Sequence, residues 1–346
     1  MTHHDATTRP AVAATDYGMA PSGSPLYAAT IGVEDLARSI AFYRDEMGFD
    51  VLDRRRMAGP AFEAHWRLPR GATGDVAVLA DRGCEAGRLV LVQFDGEERQ
   101  VVRNIAGQRF FGLVNLNFYS DDILAHTARL EARGCRAWSE PVVHEMGATV
   151  GEPIEVMLDG PDSVILNLIQ LQARDPQARI RRTMAWIADS GGYNRCGTTP
   201  VATSQHCVSD YARAMAFNMK VMGMSVRNDV ELAGAMMERF MQYPPGARTR
   251  DTYLQGTHIF GKIAINHPLN FACVDLVPRA VAPNIGYLAQ SFRVPDLGAS
   301  LAAANALGAE VFSPAIELEL PALGRVTTAL VRNPGSGALH ELIQMA

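Results

Sequence analysis

Four copies of one pattern run along this chain, and that repetition constrains the fold more than any single residue. Glu34-Asp35-Leu36-Ala37-Arg38-Ser39 opens a helix-like run through Phe42 to Met47-Gly48-Phe49. Ser209-Asp210-Tyr211-Ala212-Arg213-Ala214 opens another, through Phe217 to Met222-Gly223-Met224, with Asp210 standing 175 residues after Asp35. Asp122 heads a run closing on Arg133-Gly134-Cys135, and Asp296, 174 residues on, heads one closing on Leu307-Gly308-Ala309. Asn167-Leu168-Ile169-Gln170 and Glu341-Leu342-Ile343-Gln344 are also 174 apart. Self-similarity at a fixed period sets architecture before any local detail. It predicts four related units in two tandem pairs.

Each unit reads alike. An apolar strand comes first (26–33, 113–119, 201–208, 287–294), followed by an aspartate at a helix N-cap: Asp35, Asp122, Asp210 or Asp296. A carboxylate there satisfies orphan N–H groups and opposes the positive end of the helix dipole. A glycine closes each helix (Gly48, Gly134, Gly223, Gly308), where the left-handed conformation is needed. Three short strands follow. In unit one they are expected over 62–68, 75–80 and 88–94, in unit two over 155–158 and 164–171, and in unit four over 326–331 and 338–345. The unit is βαβββ and the fold class α+β. One unit leaves a sheet face bare, so two must pair. Consecutive units are expected to do so, giving a domain over 25–172, a linker over 173–200 with a short helix near 183–188, and a second domain over 201–346. Residues 1–24, rich in Thr, Ala, Pro, Ser and Gly, read as a disordered tail.

The net charge of −5 provides no basic footprint for nucleic acid, and no apolar run reaches the roughly 18 residues that span a bilayer. Five cysteines without CxxC spacing fit a reduced, cytoplasmic setting. No Gly-rich phosphate loop, HExxH or Gly-x-Ser-x-Gly motif is present.

The runs Ile31 to Phe49 and His206 to Met224, with the turn-plus-strand runs Asp159 to Leu171 and Asn333 to Met345, resemble the vicinal oxygen chelate superfamily. That group includes glyoxalase I, type I extradiol dioxygenases and bleomycin-resistance proteins. The resemblance spans residues 25–346 apart from the linker. It implies metal ligands at two places in each unit: a His, Gln or Glu on the first strand, seven residues before the capping Asp, and a Glu on the last strand. Those places hold Ala28, Asn115, Thr203 and Ala289, then Val90, Asn167, Ala264 and Glu341. Neutral amide and hydroxyl oxygens suit Fe(II) or Zn(II) poorly, and a catalytic centre uses about three protein ligands. The expectation is therefore no cofactor, with Fe(II), Mn(II) or Zn(II) held by His206 and Glu341 as the alternative.

Glu341 is the expected catalytic residue. Strand alternation places it with Leu339 and Ile343, inside an apolar cup by the resemblance. Desolvation there would raise its pKa toward acid–base work; a structural ion pair with Arg293 or Arg325 is the competing reading. Thr203, Gln205 and Tyr287 are expected to line the same cup and orient a substrate, with His267 at its rim. Asn115 and Asn167 would face each other in the other cup. His206 and His340 should point away from the cups. His65 occupies a place similar to that of His267; such histidines line pockets in many folds but are more often simply half-buried. Arg54-Arg55-Arg56 reads as a solvated edge strand. The methionines around 215–241 read as core or as a soft pocket wall. Three functions stay open: an enzyme of lyase, isomerase or hydrolase type on a hydrophobic or aromatic small molecule; a metal-dependent dioxygenase or glyoxalase-like enzyme; and a protein that sequesters a small ligand. A homodimer is the expected assembly.

Overall fold

The computed structural model describes residues 23–96 and 98–346. The expected tail at 1–24 therefore lies, except for its last two residues, outside the described residues. Unit one runs β1 (Leu26–Gly32), α1 (Leu36–Asp45), β2 (Asp50–Ala58), α2 (Pro60–Trp66), β3 (Thr73–Ala80) and β4 (Arg88–Phe94). Unit two runs β5 (Phe110–Tyr119), α3 (Ile123–Glu131), the two-residue strands β6 (Arg136–Ala137) and β7 (Val142–Val143), β8 (Ile154–Asp159) and β9 (Ile165–Gln170). The linker carries α4 (Arg179–Asp189). Unit three runs β10 (Thr203–Cys207), α5 (Tyr211–Lys220), β11 (Ser225–Ala233), α6 (Ala235–Met241), β12 (Arg248–Gln255) and β13 (Lys262–Pro268). After the short β14 (Val274–Asp275), unit four runs β15 (Gly286–Arg293), α7 (Leu297–Ala306), β16 (Glu310–Leu320), β17 (Gly324–Arg332) and β18 (Leu339–Met345).

The local signals hold. Asp35, Asp122, Asp210 and Asp296 each accept a hydrogen bond from the backbone N–H three residues on, at 3.0, 3.0, 3.0 and 2.8 Å. Gly48, Gly134, Gly223 and Gly308 all have φ between +67° and +89°. One local expectation fails: residues 62–68 do not form a strand. Pro60 at the first helical position and Glu63 in the first turn start α2 there, and the strand lies earlier, in Asp50–Ala58.

The larger correction concerns pairing. One sheet runs β16-β17-β18-β15-β1-β4-β3-β2 and the other β11-β12-β13-β10-β5-β9-β8-β6. Unit one therefore joins unit four, and unit two joins unit three; each sheet draws on both halves of the sequence. The seams are antiparallel. On one, Ala29 lies opposite Gln290, and on the other Ser204 lies opposite Leu116. A repeat period says that units must pair but not which ones. The connection over residues 95–109 carries the chain from the first sheet to the second, so consecutive units are separated.

Both sheets curl into half-barrels. Their backs and the long helices share one core, in which Leu36, Tyr43, Phe118, Phe217, Phe292 and Leu342 are buried. The concave faces are left as two cups. No helix among the described residues is long and apolar enough to cross a membrane. None of the five cysteines forms a disulfide.

Candidate active site

The cup of units one and four is narrow and apolar. Met57, Phe62, Trp66, Val76, Leu318 and Leu320 line a cavity of only about 40 Å³. The short helix α2 closes it: Phe62 and Trp66 pack on Phe94, and Arg67 lies over the Phe312 ring at 4.2 Å. Into this cup the last strand delivers Glu341, and α2 delivers His65.

The two meet. His65 Nε2 stands 3.1 Å from Glu341 Oε1, and both side chains are buried. Ser291 Oγ donates to Glu341 Oε2 at 2.6 Å, and Thr328 Oγ1 donates to Oε1 at 3.1 Å. Burial pushes the carboxyl up, but His65, Ser291 and Thr328 together hold it below its ordinary value. The expected upward shift is thereby corrected: the cup is apolar, yet the groups touching the carboxylate favour its charged form. The expected alternative partners, Arg293 and Arg325, are not the ones used. The Nε2–Oε1 approach is an ion-pair distance and not an aligned hydrogen bond, and Nδ1 of His65 has no hydrogen-bond partner in the protein either. The repeat could have drawn attention to this residue. The segment Pro60–Trp66 recurs 175 residues on as Ala235–Met241, where Phe240 takes the place of His65.

The cup of units two and three is wider and more polar. Its cavity of about 320 Å³ is lined by Asn117, Glu155, Asn167, Gln205, Tyr253 and a methionine-rich wall. Asn167 Nδ2 donates to Glu155 Oε2 at 2.8 Å, and Asn115 Nδ2 to Gln205 Oε1 at 3.0 Å. A smaller chamber adjoins it and contains Thr203, Arg227 and Lys262.

The predicted site residues are thus divided. Thr203 and Gln205 belong to this second cup, whereas Glu341 belongs to the first. Asn167 sits opposite Asn117, not Asn115, because the β5–β9 register places Ile165 beside Asn115. Tyr287 lines neither cavity: it is buried between the sheets, and its hydroxyl lies 2.9 Å from Ser204 Oγ. His267 does not reach a rim; its Nδ1 lies 3.0 Å from the Val208 carbonyl and its ring packs against Tyr211. His206 is fully buried, hydrogen-bonded to Ser336 Oγ and packed 5.4 Å from the His340 ring. It lies in the other sheet from Glu341, facing the core, so the expected pair is not assembled.

Metal fit follows from these donors. His65 and Glu341 are two strong ligands beside two hydroxyls, where a catalytic centre uses about three protein ligands. No group of three or more His, Cys, Asp or Glu residues suited to a metal occurs among the described residues. The set falls short of a complete centre, and no chemical step below is routed through a metal ion.

Comparison with known proteins places this geometry. Residues 26–164 match the model of the Glyoxalase/Bleomycin resistance protein/Dioxygenase superfamily. No functionally curated protein matches the sequence. Glyoxalase I from Zea mays is similar over 96% of this chain and 95% of that one, at 16% identity and a TM-score of 0.59. A single-site variant of the maize enzyme covers 94% and 93%, at 17% identity and a TM-score of 0.60. This likeness shows the fold across both cups. A Mn(II)-bound glyoxalase from Novosphingobium aromaticivorans is also matched, at 15% identity and a TM-score of 0.30, covering 93% of this chain and 82% of that one. The expectation of a cofactor-free protein is corrected by the likeness to glyoxalase I, since glyoxalases are typically metal-dependent.

Proposed function

We propose that this superfamily chain is a proton-transfer enzyme acting on a small hydrophobic or aromatic molecule in the cup of units one and four. One observation carries the reading: a buried imidazole with Nε2 3.1 Å from a buried carboxylate and Nδ1 without a protein partner. The Glu341 carboxylate, 3.1 Å from Nε2, favours a proton on that nitrogen. With the proton there, Nδ1 carries the lone pair. A base oriented in this way by a carboxylate is a recurring catalytic arrangement. Nδ1 takes a proton from the substrate, and the carboxylate stabilises the resulting imidazolium. Ser291 and Thr328 hold the carboxylate in place. The apolar wall selects the substrate body, and α2 lifts to admit it, since 40 Å³ has room for little more than one water.

The test is exchange of carbon-bound protons into D2O, followed by NMR over a panel of small aromatic carbonyl compounds. The intact protein is expected to catalyse exchange in at least one of them. His65→Asn should slow it by on the order of a hundredfold or more, and Glu341→Gln by a similar order. Exchange at the parent rate in both variants would end this assignment.

A further inference from the structure

The cup of units two and three shares the architecture of the first but not its chemistry. Met146, Met236, Met237 and Phe240 make one wall of its 320 Å³ cavity. Methionine walls adapt to irregular apolar bodies. The opposite side is polar and incompletely satisfied. Asn117, Asn167 and His144 line the cavity, are each more than nine-tenths buried, and keep Oδ1, Oδ1 and Nε2 without a protein partner. The free atom of Asn167 is identified by its neighbour, because Nδ2 is committed to Glu155 and only the acceptor remains. An unmet buried acceptor costs on the order of 1–3 kcal/mol, so the two asparagine oxygens favour a ligand that brings donors.

Charge points the same way. The titratable residues lining this chamber are Glu145, Glu155, Glu231, His144 and Tyr253, with no Lys or Arg. Glu231 is paired with Arg248 at 2.6 Å, which leaves Glu155 as the inner carboxylate. The cations of the adjoining chamber are engaged elsewhere. Lys262 Nζ donates to the Ile259 carbonyl at 2.6 Å, Arg227 donates to Gln255 Oε1 at 2.6 Å and Thr183 Oγ1 at 3.2 Å, and Arg179 Nη1 donates to the Arg227 carbonyl at 3.5 Å. We propose that this cup is a second ligand site, selective for an organic amine with an apolar body. The ammonium donates to Glu155 and the asparagine carbonyls beside the Tyr253 ring, and the body lies on the methionines.

Calorimetry on the full chain with 4-phenylbutylamine and 4-phenylbutanoate tests this, together with methyl NMR of the methionines. The amine is expected to bind at least about tenfold more tightly than the carboxylate and to shift methionine methyl resonances. Glu155→Gln should weaken amine binding by about tenfold or more, the range of a hydrogen bond to a charged group. His65→Asn, in the other cup, should leave binding unchanged. Equal binding of amine and carboxylate, an unaffected Glu155→Gln, or loss of binding in His65→Asn would each overturn the proposal. Should Glu155→Gln fail to fold, Met236→Trp fills the chamber from its wall, and undiminished amine binding in that variant overturns it equally. None of these outcomes bears on proton exchange in the first cup, so the two readings stand or fall separately.

Discussion

His340 lies parallel to the Phe292 ring with centroids 5.6 Å apart, packed also against Phe217 and His206. Burial pushes its pKa down to about 4, against a small opposing effect of the Ala338 carbonyl. An unfolded histidine titrates near 6.5. Between those values the unfolded chain binds a proton that the folded chain refuses, so stability falls as pH drops through that window. His340→Phe should therefore lose less stability than the parent between pH 7 and 4.5, by on the order of 2 kcal/mol. Urea unfolding at both pH values checks this, and equal losses would refute it. Asp251 works with the opposite sign. Burial, with Glu155 adding to it against a hydrogen bond from Asn266, pushes its pKa up to about 7. The folded chain keeps that proton while the unfolded chain loses it, so stability falls as pH rises from about 4 toward 7. Asp251→Asn should stabilise more at pH 7.5 than at pH 5, again by urea unfolding; a gain independent of pH would count against it. At this scale the sequence was legible where the repeat aligned residues. Glu341 and Asn167 occupy matching strand positions and both reach cups. His65 was not legible as its partner, because the contact joins a helix of the first unit to a strand of the last, and no local spacing encodes a separation of that kind.

Elements were read well wherever a cap or a closing glycine marks an end. The first helix of each of the four units begins at the expected aspartate. Removing such a cap costs typically about 1 kcal/mol. Asp122→Ala should lower unfolding free energy by about that much with the denaturant slope unchanged, since it caps α3 on the surface away from both cups. A loss below about 0.3 kcal/mol would show that the cap adds nothing there. The helix α2 was misread because its buried residues Phe62, His65 and Trp66 face a cup and give no long periodic stripe in seven residues. A repeat finer than the helices also passed unseen. Arg88 begins β4 and donates to the Cys84 carbonyl at 2.7 Å while lying over the Tyr27 ring. Lys262 begins β13, donates to the Ile259 carbonyl at 2.6 Å and lies over the Tyr119 ring. Each cation ties a loop to the first strand of a unit, a task that a sequence pattern does not separate from ordinary surface charge.

The whole molecule departs most from what periodicity suggests. Four units were readable, and so was the need to pair them; the partnership of first with fourth and second with third was not. Backbone bonding between β1 and β15 and between β5 and β10 decides it. Neither sequence half holds a complete sheet, so neither should be a stable monomer. Residues 23–172 made alone are expected to self-associate or remain unfolded, and to recover native circular dichroism when co-produced with residues 173–346. Sedimentation of a folded, monomeric N-terminal half would contradict this pairing.

Leu26 finds Phe292 across the seam of the first sheet, and Ser24 Oγ donates to the Arg293 carbonyl at 2.7 Å. During synthesis the chain grows from its N-terminus, so β1 leaves the ribosome long before β15 exists. One edge of the earliest strand therefore stays open until nearly the whole polypeptide has been made, and contacts of such sequence separation slow folding. The wait falls on a sheet whose inner face is almost entirely apolar, which makes the nascent chain, rather than the finished protein, the stage most exposed to aggregation and most in need of a chaperone.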